Sequence, residues 1–175
     1  NSTGAPPIGP VDIVIEKNII TKVQNVGYPG VPISDNRRPK LSKNGVEINC
    51  EGSYILPGFI DTHGHIGGRS QGASPDYVFK LWMAHGITTI REPGGSLSHE
   101  LKLELKNKSE KNTIVAPRII AFSTFNSRVQ SPDEAKEWVR ENAKKGSDGI
   151  KFFGAPPEIM PVSYTHLRAH ETVVY

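Results

Sequence analysis

The sequence predicts an α/β fold, and three observations carry that reading. The first 53 residues read as β structure and loop; after residue 53, short apolar runs alternate with capped helical stretches; and the alternation gives four strands with three helices between them. Strand and helix in regular succession predict parallel strands joined by helical crossovers.

Taken in order, Val11-Asp12-Ile13-Val14-Ile15 and Ile19-Ile20-Thr21-Lys22-Val23 flank the short turn Lys17-Asn18 and predict a hairpin. Residues 27–43, rich in Pro, Gly, Asn and Arg, read as a surface loop. Val46-Glu47-Ile48-Asn49-Cys50 has strand-like alternation, with Cys50 expected as a buried small hydrophobe. Residues 54–60 form a nearly continuous apolar run, as in a strand buried on both faces. Ser74-Pro75 supplies a cap and a first-turn proline, and Val78, Leu81, Trp82 and His85 continue at helical spacing until Gly86. Residues 87–90 make a second strand, Leu97, Leu101 and Leu105 mark a second helix, and residues 118–125 contain a third strand. Ser131-Pro132-Asp133-Glu134 is a capping box, because Ser131 can accept from one orphan amide while Glu134 reaches back to another. Ala135, Trp138, Val139 and Ala143 give that third helix its apolar face, Gly146 stops it, and residues 149–153 form the fourth strand.

With 175 residues the chain has the length of one domain, and 36% hydrophobic and 22% charged residues are ordinary for a soluble protein. A net charge of +3, with cations and acids interleaved along the helices, predicts solvated faces and no nucleic-acid partner. No apolar run is long enough to cross a bilayer, so no membrane partner is expected. A single cysteine excludes an internal disulfide framework. Neither compartment, cytoplasmic or periplasmic, nor oligomeric state is legible; the partner expected is a small-molecule substrate.

His63-Gly64-His65 follows the first apolar strand and precedes Gly67-Gly68. A period of two places both imidazoles on one face, where they can share one cation. Histidine nitrogens suit zinc and other borderline divalent metals. Barrel enzymes put their chemistry at this end of their strands, and no G-x-G-x-x-G turn argues for an open doubly wound sheet.

Leu56-Pro57-Gly58-Phe59-Ile60-Asp61-Thr62-His63-Gly64-His65 resembles the first barrel strand of the amidohydrolase superfamily. The stretch 9–16 resembles the small sandwich that many members carry before the barrel, and 85–92 and 146–151 are similar to the superfamily's imidazolonepropionase-like and prolidase-like branch in particular. The resemblance implies the amino-terminal part of a TIM-like (β/α)8 barrel, about four β/α units over 54–160, preceded by part of a small β-sandwich over 1–53. It implies that His63 and His65 bind the more buried of one or two divalent ions, most simply zinc, and that Lys151 is the lysine some members carboxylate as a bridging ligand. A buried amine beside cations can react with CO₂, and the apolar Phe152-Phe153 flank suggests such burial; pairing with a carboxylate is the alternative. Arg91 and Glu92, closing the second strand, are expected near the ligands or the substrate. His85 is expected as a core or interfacial residue and His99 as a surface one. Gly94-Gly95 allows either a close approach to substrate or a tight turn.

The implied activity is metal-assisted hydrolysis of carbon–nitrogen bonds in amides, cyclic amides or dipeptides, by an activated water. Two further histidines and the general acid/base belong, by the resemblance, to later strands beyond residue 160. A barrel takes roughly 250 residues and eight strands, so the chain alone is expected to be inactive and prone to aggregate. A metal-assisted isomerase or decarboxylase, or a non-catalytic binding domain, are the rival readings.

Pro156-Pro157-Glu158-Ile159-Met160 reads as the start of a fourth helix, but residues 162–175 carry no helical stripe. The i, i+4 pair His166 and His170 lacks an adjacent acid to act as a base, so no second metal site is assigned to it. The stretch 163–172 resembles translated sequencing-adapter read-through, which implies a non-native tail over 161–175.

Overall fold

The computed structural model describes residues 4–126 and 128–170, with residues 70, 164 and 166–170 described through their backbone alone. The chain divides into two units, Asn1–Pro57 and Gly58–Tyr175.

In the first unit, β1 (Val11–Glu16) and β2 (Ile19–Asn25) form an antiparallel hairpin. Lys17 takes φ 60° in the connecting turn, as two-residue hairpin loops require. The Arg38 guanidinium grips Asp12 in bidentate fashion, at 2.9 and 3.1 Å, and ties the 27–43 loop to the hairpin. The expected strand over 46–50 does not form. Val46 and Ile48 are 83% and 79% exposed and Cys50 is also exposed, because among the described residues no strand lies beside them to make alternation worth burying.

The second unit is built on β3 (Phe59–Asp61), β4 (Ile87–Glu92), β5 (Arg118–Thr124) and β6 (Gly149–Lys151). The strands are parallel and lie in chain order β3-β4-β5-β6, curling as one part of a barrel would. Helices α1 (Pro75–Ala84), α2 (His99–Glu110) and α3 (Pro132–Lys144) make the crossovers. A strand order equal to the chain order, without reversal, is what distinguishes barrel winding from a doubly wound sheet.

Capping follows the sequence. Ser74, Ser98 and Ser131 each accept from an amide in the first turn of their helices. Glu134 reaches back to the Gln130 amide at 2.8 Å and completes the box. The core lies between sheet and helices, where Ile66, Phe79, Ile90, Ile119 and Ala121 pack together. Each large side chain buried there stabilises the fold by about 1.5–3 kcal/mol.

Several expectations are corrected. The strand expected over 54–60 is limited to three residues and is not buried on both faces: Phe59 and Ile60 are 58% and 64% exposed, because among the described residues β3 is an edge strand paired only with β4. On α1 Phe79 is buried and the expected Val78 and Trp82 are half-buried, whereas Leu81 is 43% exposed. His85 is an exposed helix-ending residue whose Nδ1 lies 2.8 Å from the Leu81 carbonyl, not a core histidine. On α2 the buried residues are Lys102 and Ser109; of the expected leucine stripe, Leu97 and Leu105 pack against the core in part, while Leu101 is 37% exposed. The fourth strand stops at Lys151, and Phe153 beyond it is 78% exposed.

The fourth helix does form and continues past residue 162: α4 spans Ile159–His170. Ile159 packs with Phe125, Val129 and Ala135, and Ser163 one turn later is buried as well. Docking on α3 thus supplies the stability that the weak apolar stripe does not. The side chains of His166 and His170, and residues 171–175, lie outside the described residues.

Candidate metal centre

Because all four strands are parallel, Asp61, Glu92, Thr124 and Lys151 finish at the same end of the sheet. His63 and His65 lie just past Asp61, outside the strand proper. The alternation nevertheless persists. Gly64 and Ile66 are buried toward the helices, while His63 is exposed and His65 half-buried on the other side. The two imidazoles therefore stand together, ring centroids 5.7 Å apart and nearly perpendicular at 89°.

This short segment is pinned residue by residue. The His63 amide donates to Asp61 Oδ1 at 2.8 Å, closing a tight turn at the strand end. Arg91 Nε donates to the Thr62 carbonyl at 2.6 Å, and the Gly64 amide donates to the Arg91 carbonyl at 3.1 Å. The Arg91 guanidinium also rests over the Phe122 ring, 5.4 Å from its centroid. Glu92, 1% exposed, binds the segment from below: Oε1 lies 3.1 Å from His65 Nδ1, and Oε2 accepts from the Ile66 amide at 2.8 Å. Trp82 Nε1 donates to the His65 carbonyl at 3.3 Å, and Ile66 is a fully buried anchor.

Two glycines make the close packing possible. A Cβ on Gly64 would fall 2.5 Å from Ile90 Cδ1. One on Gly95 would fall 3.2 Å from both Glu92 Oε1 and His65 Nδ1. Gly94, at φ 117°, donates its amide to Glu92 Oε1 at 2.9 Å, and a Cβ there would lie 3.9 Å from Lys151 Cβ. The Gly94-Gly95 turn is thus a close approach of backbone to these side chains, and it brings Lys151 and the Glu92–His65 pair into one neighbourhood.

Lys151 carries its ammonium 5.3 Å from the Phe153 ring centroid and has no carboxylate within ion-pairing distance among the described residues. The pairing alternative is therefore not what the geometry shows. The apolar burial expected from Phe152-Phe153 is also not found: Lys151 is half-buried, and only Phe152 packs inward, against Phe125.

Among the described residues no three His, Cys, Asp or Glu side chains converge as a complete metal cluster. The donors present are two imidazoles suited to zinc, half of the four ligands a zinc ion ordinarily takes.

His99 is not a surface residue. It is half-buried, with Nε2 3.1 Å from the Ser123 hydroxyl, which also donates to Asn142 Oδ1 at 2.9 Å. Burial, reinforced by the Lys102 ammonium, holds the His99 imidazole below the ordinary histidine range. Burial likewise pushes Lys102 below the ordinary lysine range, partly opposed by the charge of Glu92. Its ammonium donates to the Phe122 carbonyl at 2.9 Å. This network sits behind the sheet and was missed in the sequence, although Ile119, Ala121 and Ser123 alternate on one buried face of β5.

No protein-family model matches the chain. It is 30% identical over 122 residues to the imidazolonepropionase of Mesorhizobium japonicum, covering 69% of this chain and 29% of that protein. It is 37% identical over 83 residues to the adenine deaminase of Bacillus subtilis, covering 45% of this chain and 14% of that protein. To adenine deaminase 2 of Desulfotalea psychrophila it is 48% identical over 44 residues, 25% of this chain and 7% of that protein. The chain spans less than a third of the length of these curated relatives. Among the described residues no helix is long and apolar enough to cross a membrane.

Proposed function

We propose that this chain is the amino-terminal, metal-gripping part of a metal-dependent hydrolase that cleaves carbon–nitrogen bonds. The observation that carries the reading is the His63–His65 pair, 5.7 Å between ring centroids, standing past the carboxyl end of a parallel sheet. Similarity to imidazolonepropionase and adenine deaminase supports it, since both names denote chemistry on nitrogen heterocycles. On this reading residues 1–53 belong to a small β-sandwich and residues 54–160 to the first half of an eight-stranded barrel.

His63 and His65 would hold one divalent cation, most simply zinc, and Lys151 on the same rim would join as a carbamate. A divalent cation would polarise a carbonyl or amidine group through its oxygen or nitrogen, opening the carbon to attack, and would make a water acidic enough to attack near neutral pH. The chain's own contribution is positional. Arg91 fixes Thr62, Gly64 seats the backbone against Ile90, and the half-buried rim keeps the imidazoles side by side. The remaining ligands and the acid/base that moves the proton to the leaving nitrogen would come from sequence beyond the described residues.

The test is made on a protein that carries this chain together with the downstream strands. Reconstituted with zinc, it is expected to release ammonia from an amino-heterocycle or open a cyclic amide, with turnover abolished by a chelator. His63→Ala should lower that turnover by at least about 100-fold, since even supporting partners of ligands cost 10–100-fold. Stoichiometric metal with no hydrolysis of any carbon–nitrogen substrate would contradict the proposal.

A further inference from the structure

We infer that Glu92 is a positioning residue that fixes the tautomer of His65, keeping a proton on Nδ1 and presenting Nε2 toward the cation site. The inference rests on the metal reading above but makes a statement of its own, about a proton.

Glu92 is 1% exposed, and among the described residues its hydrogen-bonding partners are amide and imidazole nitrogens, with the Lys102 ammonium acting on it through charge alone. Oε1 accepts from the Gly94 amide at 2.9 Å and Oε2 from the Ile66 amide at 2.8 Å. A carboxylate already serving as acceptor for two backbone N–H groups is an acceptor for the third nitrogen too, His65 Nδ1 at 3.1 Å. With Nδ1 donating, a neutral imidazole has its lone pair on Nε2, the atom on the opposite side of the ring from Glu92. A carboxylate–histidine–cation relay of this kind fixes ring orientation and raises ligand basicity.

The surroundings exclude the simplest rival, in which Glu92 is itself a ligand. Both oxygens are engaged by the protein, the residue is fully buried, and the Gly94-Gly95 backbone lies across it, so close that a Cβ on Gly95 would fall 3.2 Å from Oε1. The Ile66 contact has a second consequence. Glu92 holds the ring and the backbone one residue later at once, so the ring cannot turn without losing its acceptor. His63 has no such carboxylate among the described residues, and its amide, not its ring, is held by Asp61. The two imidazoles are therefore unequal, His65 preset and His63 free to adjust.

The test uses the 175-residue chain, free of metal, and its Glu92→Gln and Glu92→Ala variants. Long-range proton–nitrogen NMR at about pH 8.5, well above the ordinary histidine range, reads the tautomer of each ring. His65 is expected as the Nδ1–H form in the parent chain and as a mixture, or the Nε2–H form, in Glu92→Gln. Zinc affinity, measured by competition with a chromophoric chelator, is expected to fall about 10-fold in Glu92→Gln. A parent chain with His65 as the Nε2–H form overturns the inference, as does a folded Glu92→Gln with the tautomer unchanged. Should Glu92→Ala or Glu92→Gln fail to fold, the parent spectrum alone decides. An Nδ1–H tautomer in a chain whose zinc affinity is the same in His63→Ala sustains the role of Glu92 and counts against the metal reading instead.

Discussion

Gly64 lies directly against Ile90, so that a Cβ on the glycine would fall 2.5 Å from Ile90 Cδ1 and 3.3 Å from Trp82 Cζ2. The residue between the two histidines is therefore a packing requirement: the segment reaches its place only because it has no side chain there. Gly64→Ala forces the extra carbon into a filled core and is expected to cost about 1–3 kcal/mol. At about 2–4 °C per kcal/mol for a chain of this size, thermal melting should show the loss plainly. An unchanged melting temperature would mean that the segment is not seated on Ile90.

Much of this arrangement is legible in the sequence, and the reasons for success and failure are physical. The crossover helices are announced by local chemistry, since Ser74-Pro75 and Ser131-Pro132 are caps whose effect stays within one turn. His63 and His65 share a face because the period-two alternation outlasts the hydrogen-bonded strand. What fails is what depends on partners. Phe59 and Ile60 look like residues of a buried strand, yet β3 is an edge with one neighbour. Val46, Ile48 and Cys50 alternate like a strand, yet among the described residues no strand lies alongside them. Lys102, charged and therefore assigned to solvent, is buried because its ammonium meets the Phe122 carbonyl and the field of Glu92. No local pattern encodes that partner, 20 residues away in sequence.

The His99 network makes the fold sensitive to acid. The imidazole faces the Ser123 hydroxyl, with Lys102, Glu100 and Lys145 as the charges around it, and its folded pKa lies below the ordinary 6.5. Between the folded and the ordinary value the unfolded chain binds more protons, so stability falls as pH drops through 6.5 toward the folded value. The urea midpoint of the chain should therefore decrease from about pH 7.5 to about pH 5.5, and His99→Gln should flatten that slope. A slope identical in the variant would remove His99 as its source.

The open edge makes a separate prediction. Phe59 and Ile60, 58% and 64% exposed on an edge strand, offer unpaired backbone beside apolar side chains. The 175-residue chain is expected to self-associate with rising concentration in sedimentation velocity, and Ile60→Lys to reduce that association. Equal association in the variant would place the sticky surface elsewhere.

X-ray absorption on the zinc-loaded 175-residue chain tests the central claim most directly. The account predicts two imidazole nitrogens at about 2.0–2.1 Å from the metal, falling to one in His63→Ala. A first shell without imidazole, or one that His63→Ala leaves unaltered, would contradict it.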